Sequence, residues 1–156
     1  HGIAEEPGPA TDYRDAPRRL TPRGVERMER EAHGMRRLGI TPDVVLHSPL
    51  VRCVQTAQIV GGVLGVPLRR LDSLAPGART DAVLDAVAEY PDAEVLMFCG
   101  HQPDMSLITA ELTGGAMVDY KKGSLGLVEA DSPGPGRGVL RALYPPRVLR
   151  VLGDEG

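Results

Sequence analysis

Short apolar runs that lead directly into helix-initiating residues constrain the fold of this chain more than any other feature. Residues 43–47 and 94–99 are runs of strand length in which apolar side chains follow one another with little polar alternation. Such runs are typical of strands buried on both faces, as in a parallel sheet covered by helices. Because the run 94–99 is the more apolar of the two, we expect it to be the central strand.

Helix-start signals lie after the first run and at two other positions. Thr21, Ser48 and Thr80 are residues that cap helices well, and the first two are followed by proline, which suits the first helical position. We therefore expect helices capped by these three residues and a fourth helix opened by Pro103. Three further strands and a short final helix are predicted at residues 68–71, 122–129, 139–143 and 145–150.

This order of elements predicts a three-layer α/β/α sandwich with a mostly parallel central sheet. Strands that alternate with helices pack in this way because the crossover helices cover both faces of the sheet. A chain of 156 residues is long enough for one core, so we expect a single domain over residues 1–156. In such domains ligands bind beyond the carboxyl ends of the strands.

The composition excludes several functional classes. A net charge of −3 gives no general attraction to nucleic acid or to an anionic membrane, and no apolar run reaches the length of a membrane span. The two cysteines, Cys53 and Cys99, form no disulfide framework, which indicates a reducing, cytoplasmic setting and buried thiols. The histidines show no His-x-x-x-His spacing, so we expect neither a metal nor another cofactor.

Two residues at predicted strand-to-helix junctions are candidates for binding an anion. Arg52 lies near the start of the helix that follows Ser48, where free backbone N–H groups and the helix dipole favour a phosphate. A guanidinium binds phosphate through two parallel contacts. His101 follows Gly100 at the end of the most apolar strand, a position that favours a functional histidine. His1, taken alone, is ambiguous.

Four blocks of sequence together resemble the signature of the histidine phosphatase superfamily. In that family an Arg-His-Gly block ends the first strand, and Ser-Pro-x-x-Arg-x-x-Gln-Thr and Gly-His blocks follow. The order and spacing here are similar, and the short length resembles the SixA-type protein-histidine phosphatases. The matching segments are His1-Gly2 and residues 18–21, 48–57 and 100–103.

The resemblance implies a phosphoglycerate mutase-like fold and a role for each matching residue. His1 resembles the nucleophile that becomes phosphorylated, Arg52 the phosphate-binding arginine and His101 the second histidine at the phosphoryl group. Arg18 resembles a further phosphate contact of the short enzymes. The family's arginine before the nucleophile, and the strand that leads to it, would lie upstream of His1, and we expect that such residues precede it.

A proton donor is harder to assign. Larger relatives carry a glutamate in a segment that corresponds here to residues 72–79, which contain no glutamate. Asp72 and Asp104 are the candidates, although a surface or capping role suits both. A phosphohistidine substrate needs less help from an acid because its P–N bond breaks readily. The sequence therefore predicts a metal-independent phosphatase acting on a phosphorylated partner, most simply a phosphohistidine protein.

Three alternatives remain open from the sequence alone. A small-molecule phosphomonoesterase of the same superfamily would use the same residues on a different substrate. A non-catalytic module that binds phosphate or a phosphoprotein would need no nucleophile. A secreted copper protein could use an N-terminal histidine, although only 3% of the residues are aromatic and no disulfide pair is recognisable.

Overall fold

A computed structural model describes residues 1–154 and contains five α-helices and five β-strands within that range. Two single-turn 3₁₀ helices, at Pro9–Thr11 and Asp72–Leu74, lie in the connecting loops. The strands are β1 (Val44–His47), β2 (Leu68–Arg70), β3 (Leu96–Cys99), β4 (Leu125–Glu129) and β5 (Val139–Tyr144). The helices are α1 (Pro22–Arg37), α2 (Val51–Leu64), α3 (Thr80–Glu89), α4 (Asp104–Thr113) and α5 (Pro146–Asp154).

The main sheet is parallel, with strand order β2-β1-β3. In its register Val45 of β1 lies beside Leu68 of β2 on one side and beside Met97 of β3 on the other. The central strand is therefore β1, and the expectation that 94–99 would be central is wrong for the described residues. All four residues of β1 are buried, whereas three of the four in β3 are half-buried, because only β1 is paired along both edges there.

The core lies on both faces of this sheet, which confirms the three-layer architecture. Val45 points to one side and packs among apolar residues of α1, α2 and α5. Val44 and Leu46 point to the other side, towards Leu74 and Ala86 of the α3 layer. Successive side chains of a strand alternate between faces, so a strand covered by helices on both sides needs apolar residues throughout.

One of the three predicted helix caps is confirmed and two are wrong. The Thr21 hydroxyl accepts a hydrogen bond from the Gly24 N–H at 2.9 Å, at the start of α1. Ser48 does not cap α2, because the helix begins only at Val51 with Leu50 as its N-cap. The Ser48 hydroxyl instead accepts the Leu50 N–H at 3.3 Å and bonds His101. Thr80 is the first residue of α3 rather than its cap.

The other predicted elements are confirmed with small shifts at their ends. The fourth helix begins at Asp104, one residue later than expected, with Pro103 at its N-cap. The strands β4 and β5 form a separate antiparallel hairpin, with a register shift between Leu127 and Val128. No helix within residues 1–154 is both long and apolar enough to cross a bilayer.

The last helix, α5, packs against α1 through two glycines that allow close backbone contact. A Cβ added at Gly34 of α1 would lie 2.0 Å from the Leu149 carbonyl oxygen, and one added at Gly153 would lie 2.0 Å from the Arg30 carbonyl oxygen. Leu149 is fully buried at this contact. The two helices therefore approach at a distance that only glycine permits at these positions.

We expect Gly34→Ala to lower the free energy of unfolding by roughly 2–3 kcal/mol, because the new methyl group must push the α5 backbone away. Chemical denaturation followed by circular dichroism would measure this change. Gly62→Ala is the matched control, since Gly62 is an exposed helix position with open space around it. The control should raise stability by up to about 1 kcal/mol through helix propensity. Equal effects of the two substitutions would contradict this account of the α1–α5 contact.

Candidate active site

Three of the residues singled out in the sequence meet beyond the carboxyl ends of β1 and β3. His101 follows β3, and Arg52 is the second residue of α2, which follows β1. The rings of His1 and His101 lie 5.3 Å apart between centroids, inclined by 58°. The Arg52 guanidinium contacts both rings, at 3.2 Å from Nε2 of His1 and 3.2 Å from Nδ1 of His101.

The hydrogen bonds of His1 define which ring nitrogen carries the proton. Its Nδ1 lies 2.7 Å from the carbonyl oxygen of Gly2, which can only accept a hydrogen bond. Nδ1 is therefore protonated, and Nε2 accepts the hydrogen bond from Nε of Arg52. The unprotonated Nε2 has one lone pair, which accepts the Arg52 N–H in the free site and would become available to phosphorus once an incoming phosphoryl group takes over that N–H, so it has the form of a nucleophile.

His101 is held in a fixed orientation by a buried serine. Its Nε2 lies 2.7 Å from the Ser48 hydroxyl, while its Nδ1 faces an Arg52 N–H, which can only donate. Nδ1 therefore accepts and Nε2 donates, which is the neutral form of the ring. Burial, together with the positive charge of Arg52, lowers the pKa of His101 to about 4, so this histidine is neutral at physiological pH.

Asp15, which no motif of the sequence indicates, completes the contacts of Arg52. Its carboxylate Oδ2 lies 2.9 Å from Nη2 of Arg52, and its backbone carbonyl accepts from Nη1 at 3.1 Å. The other carboxylate oxygen accepts from Arg18 at 2.7 Å. Partial burial opposes the ionisation of Asp15, but the hydrogen bonds from Arg18 and Arg52 outweigh it and hold the pKa of this carboxyl below its ordinary value.

The Gln-Thr pair of the sequence signature fixes the N-terminal segment to α2. The Thr56 hydroxyl accepts the Gly2 N–H at 3.0 Å and donates to the Arg52 carbonyl at 2.7 Å. The Gln55 side chain accepts the Leu20 N–H at 2.7 Å. Thr56 lies one helix turn after Arg52, so the same turn of α2 carries the guanidinium and the hydroxyl that holds the backbone next to His1. The spacing between the arginine and the Gln-Thr pair therefore matters.

A second backbone contact holds His1 from the opposite direction. The Gly123 N–H donates to the His1 carbonyl oxygen at 3.1 Å. Gly123 has a φ of +87°, and a Cβ there would lie 2.2 Å from a carboxylate oxygen of Glu31 beneath it. This position therefore requires glycine for two independent reasons. The predicted strand start at residue 122 corresponds to this turn, and β4 itself begins at Leu125.

Glu31 is a buried carboxylate under this turn, with an exposed fraction of only 2%. It pairs with Arg150 of α5, whose Nη1 lies 2.5 Å from its Oε1. Burial raises the pKa of Glu31 to about 7, although the hydrogen bond from Arg150 acts in the opposite direction. The floor of the site therefore contains a carboxyl group that titrates near neutral pH.

The other three predicted site residues lie outside the direct contacts of His1, Arg52 and His101. Arg18 reaches Asp15 and the carbonyl of Glu5. Asp72 is exposed and pairs with Arg70 at 2.6 Å.

Asp104, the first residue of α4, is buried and binds a neighbouring loop. It accepts hydrogen bonds from the N–H groups of Gly77 and Ala78 at 2.8 and 3.2 Å, which fixes the loop before α3. None of the described contacts joins Asp72 or Asp104 to the three central side chains.

Both cysteines are free and buried, as expected. The Cys53 sulfur lies 3.6 Å from Nε2 of His101 and packs against this ring. Within residues 1–154, no group of three or more histidine, cysteine, aspartate or glutamate side chains has the geometry of a metal site. The site thus combines the unprotonated Nε2 of His1, the neutral imidazole of His101 and the guanidinium of Arg52. This combination suits the transfer of an anionic group.

Comparison with known proteins is consistent with this geometry. Residues 1–76 match the family model of the histidine phosphatase superfamily (branch 1). An uncharacterized protein of Picosynechococcus is 35% identical in an alignment 136 positions long, which covers 81% of this chain and 80% of that protein.

Solved structures share the fold at lower identity. The protein histidine phosphatase SixA in complex with tungstate has a TM-score of 0.81 and 24% identity, covering 96% of this chain and 95% of its own. The alpha-ribazole phosphatase from Shigella flexneri has a TM-score of 0.69 and 18% identity, covering 84% and 86%. These likenesses support the expected phosphoglycerate mutase-like architecture.

Glu31 gives a pH-dependent stability that can be isolated by substitution. Its pKa in the folded protein, about 7, lies above its ordinary value of 4.5, so the folded state holds this proton more tightly. The resulting stabilisation is complete below about pH 4.5 and is lost as the pH rises through 7. We expect the unfolding free energy of the wild type, relative to Glu31→Gln, to fall by roughly 1–3 kcal/mol across this range.

Urea denaturation of both proteins at a series of pH values would measure the difference. Subtracting the Glu31→Gln curve removes the contributions of the other titrating groups. A difference that stays flat or increases with pH would show that the ion pair with Arg150 outweighs the burial of the charge.

Proposed function

The chain belongs to the histidine phosphatase superfamily, and on that premise we propose that it hydrolyses its substrate through a phosphohistidine formed at Nε2 of His1. It is a phosphatase of the histidine-nucleophile type. The observation that carries the assignment of His1 is the tautomer of its ring, because the bond from Nδ1 to the Gly2 carbonyl leaves Nε2 unprotonated beside Arg52.

The first step transfers the phosphoryl group to the protein. The Nε2 lone pair attacks phosphorus, the N–P bond forms, and the bond from phosphorus to the leaving group breaks with its electron pair on the leaving atom. The imidazole gains positive charge, which the hydrogen bond from Nδ1 to the Gly2 carbonyl stabilises. No separate base is needed, since a neutral imidazole attacks directly.

Negative charge on the phosphoryl oxygens is balanced by fixed donors. Arg52 is 4% exposed, and its Nε and Nη2 face the two imidazoles between which the phosphoryl group would lie. Such a prepositioned cation, in a site shielded from water, can contribute about 3 kcal/mol to the stabilisation of the transition state. In this proposal Arg18 supplies a further contact to the phosphoryl oxygens. His101 does so by taking up a proton of the incoming phosphoryl group at Nδ1, since its other ring N–H already donates to Ser48.

The second step releases phosphate. Water attacks the phosphohistidine on the face opposite Nε2, the N–P bond breaks with its electrons returning to Nε2, and the proton of the water passes to phosphate or solvent. The protein is then returned to its starting state, and no metal or cofactor takes part in this proposal.

A protein-borne phosphohistidine is the substrate class that this site supports best. Its leaving group is an imidazole, and a P–N bond breaks with less assistance from an acid than a P–O ester bond. Of the carboxylates near the site, Asp15 has a lowered pKa and is ionised, so it is a poor proton donor. Asp72 and Asp104 remain the other candidates for a donor. The fold likeness to SixA, a protein histidine phosphatase, is in keeping with this substrate.

A small phosphate ester is the second candidate, because the same fold also occurs in an alpha-ribazole phosphatase. Either substrate is consistent with a cytoplasmic protein, a setting that we propose from the two free, buried cysteines. Neither substrate requires binding to nucleic acid or to a membrane, and the net charge of −3 gives no attraction to either.

Brief incubation with ³²P-labelled phosphoramidate should leave an alkali-stable, acid-labile label on His1. We expect His1→Ala to abolish this label and to lower turnover by at least about a thousandfold, because the substitution removes the proposed nucleophile. Rapid quenching in alkali followed by peptide mapping would locate the label. His33→Ala is the matched control, since His33 lies on α1 beside Arg36, away from the site. Undiminished turnover by His1→Ala would falsify the nucleophile assignment, whereas a wild type that binds phosphate without any turnover would favour a phosphate-binding module.

The two substrate classes should separate by their specificity constants. We expect kcat/KM for a histidine-phosphorylated phosphotransfer domain to exceed that for glucose 6-phosphate by at least about a hundredfold, because the P–N bond needs less acid assistance. Release of inorganic phosphate under initial-rate conditions would measure both. A preference for the sugar phosphate would support the small-molecule alternative while leaving the role of His1 intact.

A further inference from the structure

The Arg52 guanidinium has two edges, and protein groups occupy both. Nε and Nη2 contact the two imidazoles. Nη1 and Nη2 contact Asp15, through its backbone carbonyl and its carboxylate respectively. A guanidinium has five N–H donors in a rigid plane, so four of the five have an acceptor here.

The two edges differ in what an incoming phosphoryl group can replace. A phosphoryl group attached to Nε2 of His1 would bring its oxygens to the edge formed by Nε and Nη2. The adjacent edge in the same plane, formed by Nη1 and Nη2, is fixed at two points by the backbone carbonyl and the carboxylate of Asp15. Fixing one edge of a planar fork at two points also fixes the direction of the other edge.

Asp15 is itself held in place. One carboxylate oxygen bonds Arg52 at 2.9 Å, and the other bonds Arg18 at 2.7 Å, so its two oxygens are committed to two guanidinium groups. The next residue is also tied to α2, since the Ala16 carbonyl accepts the Val51 N–H at 3.3 Å. The loop that carries Asp15 is thus attached to the first turn of the helix that carries Arg52.

We propose that Asp15 is a positioning residue that holds Arg52 with its Nε–Nη2 edge directed at the reacting phosphoryl group and keeps Arg18 beside it. This role rests on the proposed function of the site. Asp15 acts through the two arginines and does not touch the reacting atoms. The donor edge is already aligned before substrate binds, so less reorganisation is needed as charge develops on the phosphoryl oxygens.

The decisive comparison is between Asp15→Asn and Asp15→Ala, which remove the same charge. The asparagine keeps a carbonyl oxygen that can accept from Nη2 of Arg52, whereas the alanine leaves that edge without its side-chain acceptor. Any general effect of charge on anion affinity is therefore equal in the two variants. Asp12→Asn and Asp12→Ala are the controls, because Asp12 is an exposed carboxylate of the same loop that pairs only weakly, at 3.8 Å, with Arg14.

Orthovanadate, which imitates the five-coordinate phosphoryl transition state, and sulfate, which imitates the bound ground state, are the probes. We expect Asp15→Ala to bind vanadate at least about tenfold more weakly than Asp15→Asn does, while their sulfate affinities differ by less than about threefold. Calorimetric titration at matched ionic strength would measure both. Equal vanadate affinity in the two variants, or equal losses for vanadate and sulfate, would overturn the proposal.

Hydrogen exchange of the Arg52 side chain tests the role of Asp15 without any ligand. The Arg52 Nε–H donates to His1 from a guanidinium that Asp15 holds through Nη1 and Nη2. It should give a resolved ¹⁵N-correlated signal whose exchange with water is slow in Asp15→Asn and at least about tenfold faster in Asp15→Ala. If the wild type neither binds vanadate nor forms phosphohistidine, the proposed function fails, and the exchange rates alone decide the role of Asp15. If the wild type does both but the two variants exchange alike, only the positioning role fails.

Discussion

The contact of one guanidinium with two imidazoles is the interaction on which the rest of this site depends. Arg52 is almost completely buried, and an unpaired buried cation would be costly. His1, His101 and the carboxylate of Asp15 supply its acceptors. These acceptors stabilise the buried charge of Arg52. That charge, together with burial, in turn lowers the pKa of His101, so a cation and a neutral imidazole lie within hydrogen-bond distance of each other.

The scaffold serves this contact through backbone groups more than through side chains. His1 belongs to no helix or strand, yet hydrogen bonds from the N–H groups of Gly2 and Gly123 hold it from two directions. One of these bonds ends on Thr56, which lies one turn after Arg52 in the same helix. The nucleophile and its partner guanidinium are therefore fixed relative to each other by a single rigid element, which is the way precise sites are usually supported.

The layers and the candidates Arg52 and His101 could be predicted from local patterns, whereas His1 was selected only through the family resemblance. Apolar runs identify buried strands, and the Ser-Pro-x-x-Arg-x-x-Gln-Thr signature carries Arg52 together with the residues that anchor its neighbours. Asp15 could not be found in this way, since it lies in a proline-rich loop without periodicity and its partner is 37 residues away. The capping role expected of Ser48 was wrong because α2 begins three residues later, and the Ser48 hydroxyl bonds a distant histidine as well as the Leu50 N–H. Local propensity does not include such tertiary competition.

The close packing of α1 and α5 makes the C-terminal helix part of the support of His1, although the two are far apart along the chain. Arg150 on α5 neutralises Glu31, and Glu31 fills the space directly under the turn whose amide holds His1. Without that helix, the Glu31 carboxylate would remain buried beneath His1 without a cationic partner. It would then have to bind water or take up a proton. Helix α5 therefore supplies the counter-ion of Glu31 and excludes water from beneath the turn that holds His1.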